Sequence, residues 1–224
     1  PPAMPNGIDQ LYRTAIEKLA KSADADIEHL RRAVIRGDGV PLEPDPRLLA
    51  EASGKGADWG EYAFGELRAF GFIVADVARF VWYRPTKNEM WERQAVLAGI
   101  EATAIVRLVS MDLSPAIPEI QRRLEAFDRT TASGKALASL LAHQKLMVSV
   151  VAATGEVATL EEYARRASVA QVYARAATLD LTDIEGMTTS ARTMVQLLCK
   201  GDARDCAAAA TAMRIHPRQP AFAA

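Results

Sequence analysis

The stretch "PDPRLLAEASGKGADWGEYAFGELRAFGFIV", residues 44–74, has the layout of a helix, a turn and a second helix. Its spacing predicts short helices at about 46–53 and 58–70, and Gly71 ends the second. Such a unit normally places its second helix in the major groove of DNA. Here that helix opens with "ADWGEYAF", which carries two carboxylates and no cation. The first question is therefore whether the protein recognises DNA or keeps the helix-turn-helix fold without that function.

The segments around this unit complete a small module. Apolar periodicity predicts helices over 8–21 and about 26–36, and the prolines and glycines of "GDGVPLEPDP" predict a loop. The run "FIVADVARFVWY" is rich in β-forming residues and predicts a short hairpin. The interruption "RPTKN" at 84–88 is the best domain boundary.

The rest of the chain is almost entirely helical in pattern. Helices are predicted at roughly 89–110, 116–129, 133–152, 157–178, 181–200 and 202–215. Short links between long amphipathic helices imply an antiparallel bundle. The predicted fold class is mainly α, with a winged helix-turn-helix followed by a bundle. Its segments are an extra N-terminal helix (1–26), the winged module (27–85), the bundle (86–218) and a tail (219–224).

Composition places few limits on function. The 224 residues are half hydrophobic and a quarter charged, and the net charge of −1 makes no global case for nucleic acid or an anionic membrane. No apolar run approaches the roughly 18–20 residues that span a bilayer, and "PPAMPNG" is not expected to be a signal peptide. Cys199 and Cys206, predicted on one helix two turns apart, are too distant to bridge, which favours a reducing cytoplasm.

Residues 44–73 resemble the winged-helix domain of GntR-type bacterial regulators without gaps. The matching positions are Pro44, Arg47, Leu49, Ala50, Glu51, Gly54, Ala63, Phe64, Leu67, Gly71, Phe72 and Ile73. The helical part is similar to the effector-binding bundle of the FadR branch, the FCD domain, in "LLAHQKLMVSVVAATGE" and "LLCKGDARDCAAAATAMRIH". The resemblance implies a cytoplasmic homodimer that binds double-stranded operator DNA and senses a small organic-acid effector. Trp59, Trp82 and Trp91, expected at the surface, also favour a dimer.

The DNA-reading positions depart from the family pattern. The family begins its second helix with Ser-Arg and carries a further Arg, where this chain has Gly56, Ala57 and Glu61. The wing is about two residues shorter and lacks glycine, and residues 1–85 carry a net charge of −2. The candidate DNA-binding residues are Arg47, Lys55, Asp58, Trp59, Glu61, Arg68 and Arg79. For the arginines the alternative is a solvated helix face, and for Trp59 it is a buried anchor or a dimer contact.

The resembled bundle often holds a divalent metal through an Asp and three His. His143 matches the first His, but Ser139 and Ala191 stand where two other donors belong, so no metal and no cofactor are predicted. The candidate effector-binding residues are Arg93, Ser139, His143, Tyr173, Arg175 and Arg192. An arginine there could bind an effector carboxylate through two hydrogen bonds. The alternatives are a hydrogen-bonded core histidine and surface ion pairs.

Enzymatic motifs are missing from the sequence. There is no Gly-rich phosphate loop, serine nucleophile elbow or His-Glu-x-x-His helix, so the chain is predicted not to be an enzyme. The leading hypothesis is a DNA-binding transcriptional regulator controlled by a metabolite. The alternative is a divergent family member that keeps ligand binding or protein interaction and has lost sequence-specific DNA binding.

Overall fold

A computed structural model describes residues 8–215, which fold into helices and one small hairpin. The N-terminal part contains α1 (Asp9–Glu17), α2 (Ala25–Arg36), α3 (Pro46–Ser53), α4 (Ala57–Ala69), β1 (Ile73–Asp76) and β2 (Arg79–Trp82). The remaining helices are α5 (Lys87–Leu108), α6 (Ile117–Ala132), α7 (Ala136–Ala152), α8 (Val157–Arg166), α9 (Val169–Ala176), α10 (Leu181–Lys200) and α11 (Ala203–Arg214). The predicted mainly α fold class is confirmed.

Local signals define the helix-turn-helix. The Asp45 side chain accepts hydrogen bonds from the backbone N–H groups of Arg47 and Leu48 and so caps α3, which begins at Pro46. Gly54 ends α3 with a φ of 66°, in the left-handed region where glycine is favoured. At Gly60 the helices cross so closely that a Cβ would lie 2.1 Å from the carbonyl oxygen of Pro46. This crossing fixes α4 against α3.

The wing is a two-stranded antiparallel hairpin in which Ile73 pairs with Trp82 and Asp76 pairs with Arg79. It has no glycine, so Val77 at its tip takes a φ of 47° that β-branched residues rarely adopt. The Val77 side chain is fully exposed. The Phe64 and Phe80 rings meet edge to face, with centroids 5.3 Å apart, and hold the hairpin against α4.

The bundle is built around α7. Thirteen of its seventeen residues are buried, and the neighbouring helices α5, α6, α8, α9 and α10 pack around it. Thr86 and Asp180 begin α5 and α10 with reciprocal capping hydrogen bonds. No helix within residues 8–215 is both long enough and apolar enough to cross a membrane.

The N-terminal helix, expected from the sequence to be an addition to the fold, packs on α7 and α8 of the bundle. Ile8, Tyr12, Ala15 and Leu19 are buried there. The Tyr12 hydroxyl donates to Glu119 Oε1 at 2.5 Å and lies 3.1 Å from Ser149 Oγ. Helix α1 is thus continuous with the bundle core although the winged module separates the two in sequence.

Three expectations from the sequence are wrong. The helix predicted over 157–178 is two helices, because the backbone leaves helical geometry at Ala167 and Ser168 caps α9 through the N–H of Gln171. Cys199 and Cys206 lie on different helices, α10 and α11, and both are free thiols. Trp82 is buried and donates its indole N–H to the Pro41 carbonyl at 2.8 Å, so it is not a surface residue.

Candidate functional site

The outer surface of the helix-turn-helix is the first candidate site. Arg47 lies at the start of α3, and its side chain is 87% exposed, with its Nε 3.9 Å from Asp45. Asp58 and Glu61 are exposed on the first turns of α4. No side chain caps α4 at Gly56, so its first N–H groups are available to a phosphate. Arg47 and that helix start favour phosphate, whereas the two carboxylates oppose it.

Lys55 and Trp59 are engaged within the winged module. The Lys55 ammonium forms an ion pair with Asp26 of α2 and lies 4.9 Å from the centre of the Trp59 ring. Trp59 is half-buried against the core, and its indole nitrogen is buried without a hydrogen-bond partner. This environment corresponds to the anchoring alternative for Trp59.

Arg68 and Arg79, the two basic residues near the wing, differ in whether a neighbouring ring holds the side chain. The Arg68 guanidinium stacks over Phe80 at 4.8 Å from the ring centre, which holds it beside the hairpin. Arg79 is exposed next to the tip and pairs across the hairpin with Asp76 in the strand register. Of the basic residues among the predicted DNA contacts, Lys55 and Arg68 thus lie over aromatic rings. Arg47 and Arg79 are exposed and have no such ring contact within residues 8–215.

The second candidate is a cavity inside the bundle. Gln94, His143, Gln144, Gln171, Arg175 and Arg214 contribute its polar lining, and Leu140 and Val172 contribute apolar groups. The sequence-predicted residues His143 and Arg175 thus meet at one place. The free volume is about 10 Å³, which accommodates one water molecule. In this conformation the cavity is closed to a larger ligand.

A buried ion pair that the sequence did not predict lies beside the cavity, which Arg214 helps to line. Arg214 of α11 donates to Glu101 of α5 at 2.5 Å, and both side chains are almost completely buried. The same guanidinium donates to Gln94 at 3.0 Å and to Gln144 at 2.9 Å. Tyr163 donates to Glu101 as well. The sequence did hold one signal for Glu101. It lies four residues after Leu97 and four before Ile105, on the buried face of α5, where an apolar residue is expected.

Arg175 has no equivalent partner. Its guanidinium donates to the Met213 carbonyl and lies 3.5 Å from the Met187 sulfur, and no carboxylate within residues 8–215 forms an ion pair with it. Burial and then the neighbouring charge of Arg214 lower the pKa of Arg175 to about 9. The group stays positive at neutral pH, in a place where a charge without a counterion is costly.

His143 is buried and neutral. Burial, followed by the charges of Arg214 and Arg175, holds the pKa of its imidazole well below the ordinary value. Its Nε2 atom has no hydrogen-bond partner, and its ring lies 5.5 Å from that of Phe127. A ligand oxygen or a water could therefore satisfy this nitrogen.

The other predicted effector residues lie elsewhere. Ser139 is buried one turn before His143 and donates to the Lys135 carbonyl. Tyr173 points toward the winged module and donates to Glu28 at 2.6 Å. Arg93 stacks on Tyr83 near the wing, 5.5 Å from the ring centre, and Arg192 pairs with Asp128 at the surface. No cluster of three or more His, Cys, Asp or Glu side chains suited to a metal ion occurs within the described part of the chain.

Comparison with known proteins identifies the fold only. No protein-family model and no curated protein matches the chain. The structure of E. coli McbR/YncC overlays with a TM-score of 0.60 at 12% identity, covering 91% of this chain and 93% of that one. Lar, described as controlling the expression of the Listeria monocytogenes agr system and mediating virulence, overlays with a TM-score of 0.61 at 12% identity, covering 93% and 94%. Both similarities extend over the winged module and the bundle together.

Proposed function

We propose that the chain is a bacterial transcriptional regulator of the GntR/FadR type, cytoplasmic and not an enzyme, that binds operator DNA and is controlled by a small organic acid. The observation that carries this proposal is the joining of a winged helix-turn-helix to a bundle with an unpaired, buried Arg175. Lar, which shares the fold over nearly the whole chain, is described as controlling expression. The ordered resemblance over residues 44–73 points to the same family.

The DNA contact in this proposal depends more on phosphates than on bases. Arg47 is the best phosphate ligand because its side chain is exposed at a helix start. The uncapped start of α4 adds backbone donors. Asp58 and Glu61 face the groove where an arginine fork would read guanine, so base recognition is expected to be weak.

The effector in this proposal carries a carboxylate. Arg175 would exchange the Met213 carbonyl for a charged partner, and His143 Nε2 would accept a hydrogen bond from an effector hydroxyl. Because the cavity has room for only about one water, the bundle must open to admit the effector. We propose that the C-terminal end of α11, which carries Met213 and Arg214, is the part that moves. The effector therefore selects a second conformation of the bundle.

We also propose a homodimer formed through the outward face of α5. Val96 and Val106 are 42% and 56% exposed, and the space around Gly99 is open. Antiparallel pairing of two copies about the Gly99–Thr103 turn places Val96 against the partner copy's equivalent of Val106. It also brings Glu92 within reach of the second copy's Arg107, which gives charge complementarity. Such a dimer would place two helix-turn-helix units on two half-sites.

The decisive experiment is selection of bound DNA from a random pool at low and at physiological salt. An enriched palindrome is the expected result. On that duplex, Arg47→Ala should reduce the slope of log affinity against log salt by roughly 1. Arg129→Ala is the matched control, because Arg129 is an exposed helical arginine of the bundle. No enrichment at either salt concentration would overturn the proposal.

A second candidate function rests on Asp58 and Glu61, which are exposed where DNA would lie. In it the chain keeps its ligand or a protein partner but does not bind DNA in a sequence-specific way. The two candidates separate in the same selection. Binding that Arg47→Ala and Arg129→Ala leave equal, with no preferred sequence, favours the second.

A further inference from the structure

A second cleft lies between the winged module and the bundle, outside the cavity described above. One wall is the C-terminal half of α2, and the other is formed by the start of α7 and the end of α9. Its volume is about 520 Å³, which falls in the range of small-molecule sites. A cleft of this size takes a metabolite but not a DNA duplex.

The charged side chains that line this cleft are all basic. They are Lys21, Arg32, Arg36 and Lys135, and we call the site the basic cleft. Arg32 pairs with Glu28 at 3.1 Å and Arg36 pairs with Asp38 at 3.0 Å. Lys21 and Lys135 have no ion-pair partner within residues 8–215. The two free ammonium groups leave the cleft positive.

Backbone donors add to this charge. Helix α7 begins directly after Lys135, and no side chain caps it. Its first N–H groups, on Ala136, Leu137 and Ala138, therefore have no partner within the helix, and the helix dipole places positive potential there. Gly134, at a φ of 67°, turns the chain into this start. The start of this 17-residue helix, beside two lysines without ion-pair partners, is suited to binding a phosphate.

The rest of the lining is apolar. Ile35, Leu137, Ala138 and Ala176 line the cleft, with the Tyr173 ring beside them. The Tyr173 hydroxyl donates to Glu28, so its polar end is already satisfied. An occupant that is charged at one end and apolar at the other matches both parts of the lining.

We propose that the basic cleft binds a small phosphorylated molecule. Its phosphate lies at the start of α7 between Lys21 and Lys135, and its apolar part packs on Ile35 and Leu137. Because α2 belongs to the winged module and α7 and α9 belong to the bundle, the bound molecule bridges the two. The site is independent of the cavity around Arg175, and it does not require that the proposed effector exists.

The test uses phenyl phosphate as the probe, with inorganic phosphate for comparison, in calorimetric titrations of the full chain. Phenyl phosphate should bind at millimolar concentration or tighter, and more tightly than phosphate, because its ring contacts the apolar wall. Lys21→Ala and Lys135→Ala should each weaken its binding roughly tenfold. Lys87→Ala is the matched control, since Lys87 is exposed at the start of α5, away from the cleft, and it should bind the probe like wild type.

Three results would overturn the proposal. One is the absence of phenyl phosphate binding to a chain whose helical circular dichroism is normal. Another is a Lys21→Ala/Lys135→Ala double variant that binds the probe as tightly as the Lys87→Ala control. Third, if the two lysine changes alter only the salt dependence of DNA affinity, the surface contacts the DNA backbone and is not a small-molecule site.

Discussion

Gly60 shows how a single hydrogen atom in place of a methyl group sets the geometry of the helix-turn-helix. A Cβ at this position would lie 2.1 Å from a backbone oxygen, which side-chain rotation cannot relieve. We expect Gly60→Ala to destabilise the chain by about 1–3 kcal/mol, because α3 and α4 must separate. The comparison is Gly65→Ala on the same helix, where the space is open and alanine should be neutral or stabilising. Denaturant midpoints measure both, and equal midpoints would refute this view of the crossing.

Glu61 is the residue at which the helix-turn-helix surface departs most clearly from the pattern of the GntR-type regulators that it resembles. Its carboxylate is exposed on α4 and would face phosphates of the groove. Glu61→Arg should therefore strengthen binding to a selected duplex, most at low salt, where charges are least screened. Fluorescence anisotropy over a salt series measures the effect. If the variant gains no affinity at any salt concentration, α4 does not lie in the groove.

At the scale of the element, Glu119 of α6 ties α1 to the bundle. Burial alone would raise the pKa of Glu119, but hydrogen bonds from Arg122, Tyr12 and Arg123 outweigh burial and lower it to about 2. A carboxyl whose pKa is depressed on folding stabilises the fold above its unfolded pKa of about 4.5 and loses that effect as the pH falls toward 2. The favourable free energy of these contacts is thus present at neutral pH.

We expect Glu119→Gln to lower stability at pH 7 by about 1–2 kcal/mol, a value reduced for solvent screening. As the pH falls toward 2, the stabilities of the variant and the wild type should converge, because wild-type Glu119 becomes protonated. Urea unfolding at several pH values measures the difference. A constant difference across the range would show that the contact acts through shape and not charge.

Element boundaries were predictable where their signals are local. Helix α3 was predicted at 46–53 because its start and end depend on residues that are neighbours in sequence, such as Asp45, Pro46 and Gly54. The break between α8 and α9 was missed because it depends on distant groups: Ala170 donates to the Phe70 carbonyl, and Ser168 lies against Gly71. Glu101 and Arg214 are 113 residues apart, so their pairing could not be read from spacing. For the candidate sites, the sequence allowed Arg175 and His143 to be predicted as binding residues, but it did not allow their buried neighbours to be predicted.

At the scale of the whole molecule, the proposed α5 interface makes a prediction about assembly. Glu92→Arg and Arg107→Glu should each shift the chain toward monomer in equilibrium sedimentation, because like charges would meet across the two-fold axis. The double variant should recover part of the dimer, since the charges are then exchanged. Arg107 also pairs with Glu156 within the chain, so recovery will be incomplete. Arg129→Glu, on α6, should leave the mass unchanged. A wild-type chain that is monomeric at tens of micromolar would remove the basis for this interface.

The small size of the bundle cavity has a consequence for the rates at which a ligand would bind and dissociate. A cavity with room for one water cannot admit an organic acid without opening, so association of the proposed effector would have to wait for the bundle to open. The observed binding rate should then level off as effector concentration rises, at the rate of opening, and lie far below the diffusion limit. Dissociation must wait for the same opening, so an occupied molecule would keep its effector long after the surrounding concentration had fallen. The protein would respond to the recent average of its effector and not to brief changes.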